Sequence, residues 1–275
     1  MRRIAQPGPA PAARAVSEPC AARPIVVDLP AGARLLDALA ALMAREGAEG
    51  GSFTLTGGAL DPFGYVMPAA SPDAAHAAFY SAPHRPPGGG RWERGAVTLG
   101  WRGGAPFFHC HGLWREAEGV RRGGHVLPEE SVIAAPMRAE GVLLRGARFE
   151  AMPDAETGFT LFEPRPGALA APAPNALALR LRPNQDVTAA LSGLARGAGF
   201  AQAALPGAVG SLIGARFADG RVTEPFATEV FLAPGPLSAP LRAGLVDMEG
   251  GLAEGVLIPG ENPVLMTLEA VLLAA

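Results

Sequence analysis

The 275-residue chain has five histidines, and three of them, His109, His111 and His125, fall within one short window. His109 and His111 stand at i and i+2 in the apolar, strand-like run from Phe107 to Trp114. Side chains alternate faces along a strand, so these two share a face and Cys110 points to the other. The polar stretch from Arg115 to Arg122, with its single glycine, suits a hairpin turn. A turn centred on Glu118 brings His125 directly opposite His111, with Cβ atoms about 5 Å apart, and leaves His109 as the diagonal neighbour at about 7 Å. Three imidazoles then converge on one face of a two-stranded ribbon. Three such nitrogens are the protein ligands of an open tetrahedral zinc site, whose fourth position takes water or substrate. Imidazole also suits iron, nickel and copper, so zinc is the first expectation among several divalent ions. The alternative is three hydrogen-bonded histidines in a core or an interface. Everything rests on register, because a one-residue slip sends His125 to the opposite face.

The elements that must hold this window follow one plan twice. An apolar strand, Pro24 to Leu29, precedes a helix with Leu35, Leu36, Leu39, Leu42 and Met43 on one stripe, which stops at Gly47. After a Pro- and Ala-rich stretch at 163–175, which reads as a linker, the strand Ala176 to Leu181 precedes a helix with Val187, Ala190, Leu191 and Leu194, which stops at Gly199. Leu39, Leu42 and Gly47 recur at one spacing as Leu191, Leu194 and Gly199. Each helix is followed by a strand and a Gly-Ala step, Gly58-Ala59 and Gly207-Ala208. Both halves close alike, Glu140-Gly141-Val142-Leu143-Leu144 against Glu269-Ala270-Val271-Leu272-Leu273. This order of elements points to an internal duplication: residues 1–22 form a disordered tail, 23–162 a first domain, 163–175 the linker and 176–275 a second domain. In the second copy Asp247-Met248-Glu249-Gly250 stands where the first has His109-Cys110-His111-Gly112, and no histidine follows residue 125, so the site is expected once per chain. The segment from about Asp61 to Arg94 is an insertion with Tyr65, His76, Tyr80 and His84, long enough to fold over the histidines as a lid, bringing His76 or His84 within reach. Trp92 and Trp101 flank a strand and read as packing residues.

Composition narrows the function classes. Hydrophobic residues make up 49% of the chain, ample for a packed core. All 23 basic residues are arginine, against 26 acids, for a net charge of −3, and neither half is basic. Duplex binding draws most of its affinity from phosphate neutralisation, so this balance counts against a general nucleic-acid binder. Two cysteines, Cys20 and Cys110, give no disulfide framework and suggest reduced thiols in a cytoplasmic protein. The first 22 residues have no apolar core of a signal peptide, and no run approaches a membrane span.

The H-x-H strand of His109 and His111, followed by Gly123-Gly124-His125 and Val126-Leu127, resembles the plants-and-prokaryotes-conserved domain, known as PPC or PCC. The first half matches that pattern from about residue 24 to 150. The second half, from about 176 to 274, matches in its helix and closing strand and departs at every histidine. The resemblance implies an α+β fold of two such repeats, each a mainly antiparallel sheet packed on one main helix, and a trimeric assembly. Plant relatives pair the domain with an AT-hook built around Arg-Gly-Arg-Pro. No such motif occurs here, and the nearest stretch, Arg85 to Arg91, reads as a loop.

Three functions compete at this level. The first is a metal site for a small-molecule ligand, with His109, His111 and His125 holding the ion, Glu129 or Glu140 as a base or as a carboxylate behind the ligands, and Arg122 as a contact for an anionic ligand. The second is a DNA-associated regulator, which the resemblance suggests through its plant members. The third is a non-catalytic assembly or ligand-sensing module in which the histidines line a trimer interface. No substrate or reaction is legible.

Overall fold

In the computed structural model, which describes residues 1–171 and 173–275, the chain is mostly antiparallel sheet with two α-helices among the described residues. Its first strand, β1 (Ala15–Leu29), is followed by α1 (Leu35–Arg45), β2 (Gly50–Thr56), β3 (Gly90–Arg102), β4 (Ala105–Arg115), β5 (Arg121–Val126) and β6 (Met137–Arg145). These six strands pair in the order β1-β6-β2-β3-β4-β5. A hairpin, β7 (Ala147–Pro153) and β8 (Thr160–Pro166), then leads into the second half. That half contains β9 (Ala176–Leu181), α2 (Val187–Gly197), β10 (Ala208–Arg216), β11 (Val222–Leu232), β12 (Arg242–Asp247), β13 (Leu252–Val256) and β14 (Val264–Ala274), and its strands pair in the order β9-β14-β10-β11-β12-β13.

The two sheets share a strand. Ala15 to Cys20 of β1 pairs with β9, and Ala21 to Leu29 of the same strand pairs with β6. The tail expected to be disordered through residue 22 is therefore strand from Ala15 onward. Its prolines explain why the sequence concealed it. Pro19 and Pro24 lie where β1 has a neighbour on one side only, the edge position in which a missing N–H costs no ladder bond. Even residues before Ala15 are tied to the second half: Ile4 N–H donates to Asn184 Oδ1 at 3.0 Å and the Gln6 amide to the Leu265 carbonyl at 2.7 Å. The expected linker is also shorter, because β8 runs to Pro166. Beyond it the buried Glu49 carboxylate accepts the N–H of Leu169 at 3.1 Å. The linker expectation at Pro172 lies outside the described residues.

Each helix turns its expected stripe toward a core, with Leu36, Ala190 and Leu194 half-buried and Ala195 buried in addition. Leu35, Leu39, Leu42 and Met43 of α1 share a core with Phe53, Leu55, Val97 and Phe108, and Val187, Leu191 and Ala195 of α2 share one with Leu179, Leu212 and Leu268. Burial of a large apolar side chain contributes roughly 1.5–3 kcal/mol. Gly47 (φ 57°) and Gly199 (φ 75°) end the helices in the left-handed conformation that glycine reaches without strain. Between the sheets, β3 and β4 face β10 and β11 through a small cluster of Ala96, Leu113, Val209 and Phe231. Glycine is required on the other side of β3 and β4: a Cβ at Gly112 would lie 2.2 Å from the Trp92 ring, so the residue after His111 makes room for that indole. Trp92 and Trp101 pack as expected, their indole N–H groups donating to the carbonyls of Leu55 and Glu49.

Asp247 and Glu249 do not take up the places of His109 and His111. Asp247 ends β12, and its carboxylate accepts the N–H groups of Glu249 and Gly251 at 2.9 Å each, closing the tight turn to β13.

Candidate metal centre

The β4–β5 hairpin turns through Ala117–Gly119, with Glu118 at φ 65°. From there the register runs Arg115 to Arg121, Trp114 to Arg122, Leu113 to Gly123, Gly112 to Gly124 and His111 to His125. His109 sits two residues along the same face. Cys110 faces the opposite core, where burial pushes its thiol pKa up; Cys20 is also buried, its pKa pushed up to about 11, and both thiols are free.

The imidazoles meet a partner the sequence did not reveal. His109 Nε2 lies 3.0 Å from His111 Nε2, which lies 3.1 Å from His125 Nδ1 and 2.9 Å from Glu229 Oε2. Glu229 belongs to β11 in the second half. The four donor atoms fall within 4.8 Å of one another, a group that could hold a metal ion. Behind them, His109 Nδ1–H donates to the fully buried Glu269, also from the second half, and His111 Nδ1–H donates to the Val230 carbonyl at 3.0 Å. Glu269 is held in turn by the Thr267 hydroxyl at 3.0 Å, and Thr267 by Arg180 Nε at 3.2 Å.

These outer contacts fix the tautomers. A carbonyl and a carboxylate can only accept, so neutral His109 and His111 carry their protons on Nδ1 and turn Nε2 lone pairs inward. Glu229 adds a further acceptor. The His111 Nε2 lone pair therefore faces the His109 Nε2 lone pair and a Glu229 oxygen, acceptors that a cation would satisfy. Zinc at about 2.0–2.1 Å from each donor needs donors about 3.3 Å apart, so the three separations to His111 Nε2, 3.0, 3.1 and 2.9 Å, must open by only a few tenths of an ångström. The donor set fits a divalent ion.

The charges follow the same geometry. Burial opposes a proton on His109, yet the carboxylates of Glu269 and Glu229 outweigh it and hold its pKa above the ordinary value. Burial, with His109 and His111 beside it, drives the His125 pKa well below the ordinary value. Tyr80, whose ring centroid is 5.2 Å from that of His125, has its phenol pKa pushed well up by burial and by Glu229 and Glu269.

The insertion does lie over the site, through residues other than those expected. Tyr65–Val66 pairs with β5, placing Val66 opposite His125, and Phe79–Tyr80 pairs with Pro68–Ala69 to bring Tyr80 onto the imidazole. His84 instead stacks on Tyr65 at 5.0 Å, and His76 packs against Phe79 and Phe159. The three residues expected around the ion also lie elsewhere. Arg122 is exposed, 3.9 Å from Glu116, while Glu129 and Glu140 are exposed on the first half. The carboxylates that reach the imidazoles are those of Glu229 and Glu269. One faint signal pointed to Glu269, which closes the second half at the position where Glu140 closes the first.

No family model matches the chain, and no curated protein sequence matches it. Solved structures do. A plant- and prokaryote-conserved (PPC) protein of Pyrococcus horikoshii is 20% identical, with a TM-score of 0.41, over 52% of this chain and 94% of its own. A metal-containing protein of Archaeoglobus fulgidus is 18% identical, with a TM-score of 0.38, over 51% and 92%. A candidate DNA-binding protein of Ralstonia eutropha is 19% identical, with a TM-score of 0.36, over 50% and 88%. The chain is thus similar, over about half its length, to PPC protein structures. Among the described residues no helix is long and apolar enough to cross a membrane.

Proposed function

We propose that His109, His111, His125 and Glu229 hold one divalent metal ion, zinc first among the candidates, and that the protein binds a small ligand beside it. One observation carries this reading: the Nε2 lone pairs of His109 and His111 are aimed at each other 3.0 Å apart by proton acceptors behind both rings. With four protein donors on the ion, a ligand oxygen or a water would have to join it as a fifth donor, and would be polarised there. This chain's own residues orient the rings, through Glu269 and Val230, and Tyr80 shields His125 from water. The test is elemental analysis of purified protein and of a variant carrying H109A, H111A and H125A. Stoichiometric metal in the first and none in the second is expected; metal-free wild-type protein, unable to take up zinc, overturns the proposal.

We further propose that the two halves are PPC-like repeats, with 23–162 and 176–275 as the units, each a mainly antiparallel sheet with one main helix. The matching strand orders support this, β1-β6-β2-β3-β4-β5 beside β9-β14-β10-β11-β12-β13. The second repeat is then a working part of the site, the source of Glu229 and Glu269. A trimer is the assembly the resemblance suggests, and the site does not depend on it, because all four donors come from one chain. The free, buried cysteines fit a cytoplasmic setting. The DNA-associated reading finds little support in a surface where arginines are paired, as Arg85 is with Glu130, Arg121 with Glu93 and Arg94 with Glu254.

A further inference from the structure

Two small cavities flank His109. One, of about 40 Å³, lies between the insertion and the second half, and its walls include Phe79, Tyr80, Phe159, Ser211, Glu229 and Met266. The other, of about 50 Å³, shares Tyr80 and His109 and reaches His125 and Glu269. A single water needs about 10–15 Å³ of such space, so each cavity has room for a few waters or one small organic molecule.

The walls divide by chemistry. The inner end of the first cavity is His109 and Glu229. The outer end is apolar, with Phe79 at 37% exposure marking the mouth and Ala78, Phe159 and Met266 behind it. Neither cavity has a lysine or an arginine in its wall. The nearest buried guanidinium, Arg180, is turned to Asp154 and Thr267. With the ion bound, its two positive charges are already balanced by the Glu229 and Glu269 carboxylates, so an anionic ligand would shed its water and bring net negative charge to a wall with no side-chain cation to receive it. Among the wall hydroxyls, Thr228 donates to the Leu212 carbonyl and Thr267 to Glu269, whereas Ser211 accepts the Met266 N–H and keeps its own O–H to give.

We infer that this cavity takes a small uncharged molecule, with a carbonyl or hydroxyl oxygen toward Ser211 and the His109–Glu229 end and a short branched or cyclic apolar tail between Phe79, Phe159 and Met266. The inference deepens the metal-site reading above and rests on it for the oxygen's second partner. It sets phosphorylated compounds, dicarboxylates and nucleic acid outside the ligand class.

Isobutyramide and isobutyrate have nearly one shape and differ in charge, which makes them the probes. Saturation transfer from the protein to the ligand methyl groups reads cavity occupancy whether or not metal is present, and the visible spectrum of the cobalt-loaded protein reads contact with the ion. Isobutyramide is expected to give saturable transfer and to perturb the cobalt spectrum, with isobutyrate weaker by at least about tenfold. Ala78→Leu, which fills the cavity from the insertion, is expected to abolish transfer while cobalt uptake stays at the wild-type level. Ser211→Ala is expected to weaken isobutyramide by several fold. Isobutyrate binding as well as isobutyramide, or transfer that survives Ala78→Leu, overturns the inference, as does cobalt uptake without any transfer. Transfer without cobalt uptake upholds the cavity and sinks the metal reading.

Discussion

Replacing Glu269 by glutamine removes one charge from behind His109 while keeping the shape of the contact. The side chain is fully buried; one oxygen takes the His109 Nδ1–H and the other the Thr267 hydroxyl at 3.0 Å. A glutamine carbonyl can still accept from His109, and the Thr267 hydroxyl can rotate to accept from the amide, so both contacts persist. What is lost is the negative charge that favours electron donation by the ring toward the ion. Loss of such an outer partner typically lowers metal affinity about 10- to 100-fold, or roughly 1.4–2.7 kcal/mol. Competition between the protein and a chromophoric chelator for zinc, at fixed pH, measures it directly. Glu269→Gln is expected within that range and His109→Ala beyond it, because the latter deletes a donor. An unchanged zinc affinity in Glu269→Gln would refute the reasoning, and so would a loss as large as that of His109→Ala.

Other consequences are open to measurement. Gly112→Ala drives a methyl group into the Trp92 ring, 2.2 Å away, and is expected to lower stability by about 1–3 kcal/mol in a urea titration. Burial raises the Asp154 pKa, but Arg180 and the Thr157 hydrogen bonds overcome it and hold the carboxyl below its ordinary value. A depressed carboxyl stabilises the fold above its unfolded pKa, near 3.9, and loses that contribution as pH falls through its lower folded value. Asp154→Ala, which leaves the buried Arg180 with only the Glu163 carboxylate, at 3.5 Å, is therefore expected to cost about 3 kcal/mol at neutral pH and to flatten the acid limb of a stability–pH curve. Duplex DNA is expected to show no retardation in a low-salt gel, since many arginines, Arg85 and Arg121 among them, already face carboxylates; a salt-sensitive shift would revive the regulatory reading.

The hairpin could be read from sequence because two local rules sufficed. Alternation put His109 and His111 on one face, and a polar turn around Glu118 set His125 against His111. Both helix stripes and their terminal glycines were legible for the same reason. The carboxylates were not. Glu229 and Glu269 lie more than a hundred residues from the histidines, and nothing in their neighbourhoods marks them, since they matter only where two sheet faces meet. Glu140, expected near the ion along with Glu129, has as its counterpart at the end of the second half the residue that reaches His109. Tyr80 was hidden similarly, in an insertion without periodicity whose strands are two residues long. The leader was misjudged because Pro19 and Pro24 argue against a strand until an edge position makes them harmless.

A strand that closes both sheets also sets how the molecule comes apart. Ala15 to Leu29 cannot leave β6 and keep β9 without a break in the middle of one extended segment, so loosening either sheet frays the other. Its partners arrive late: β6 follows it by more than a hundred residues, and β9 by more than a hundred and fifty. Such distant pairings slow folding. They also tie the two halves into one cooperative unit, so calorimetry should find a single heat-absorption peak whose van't Hoff and calorimetric enthalpies agree.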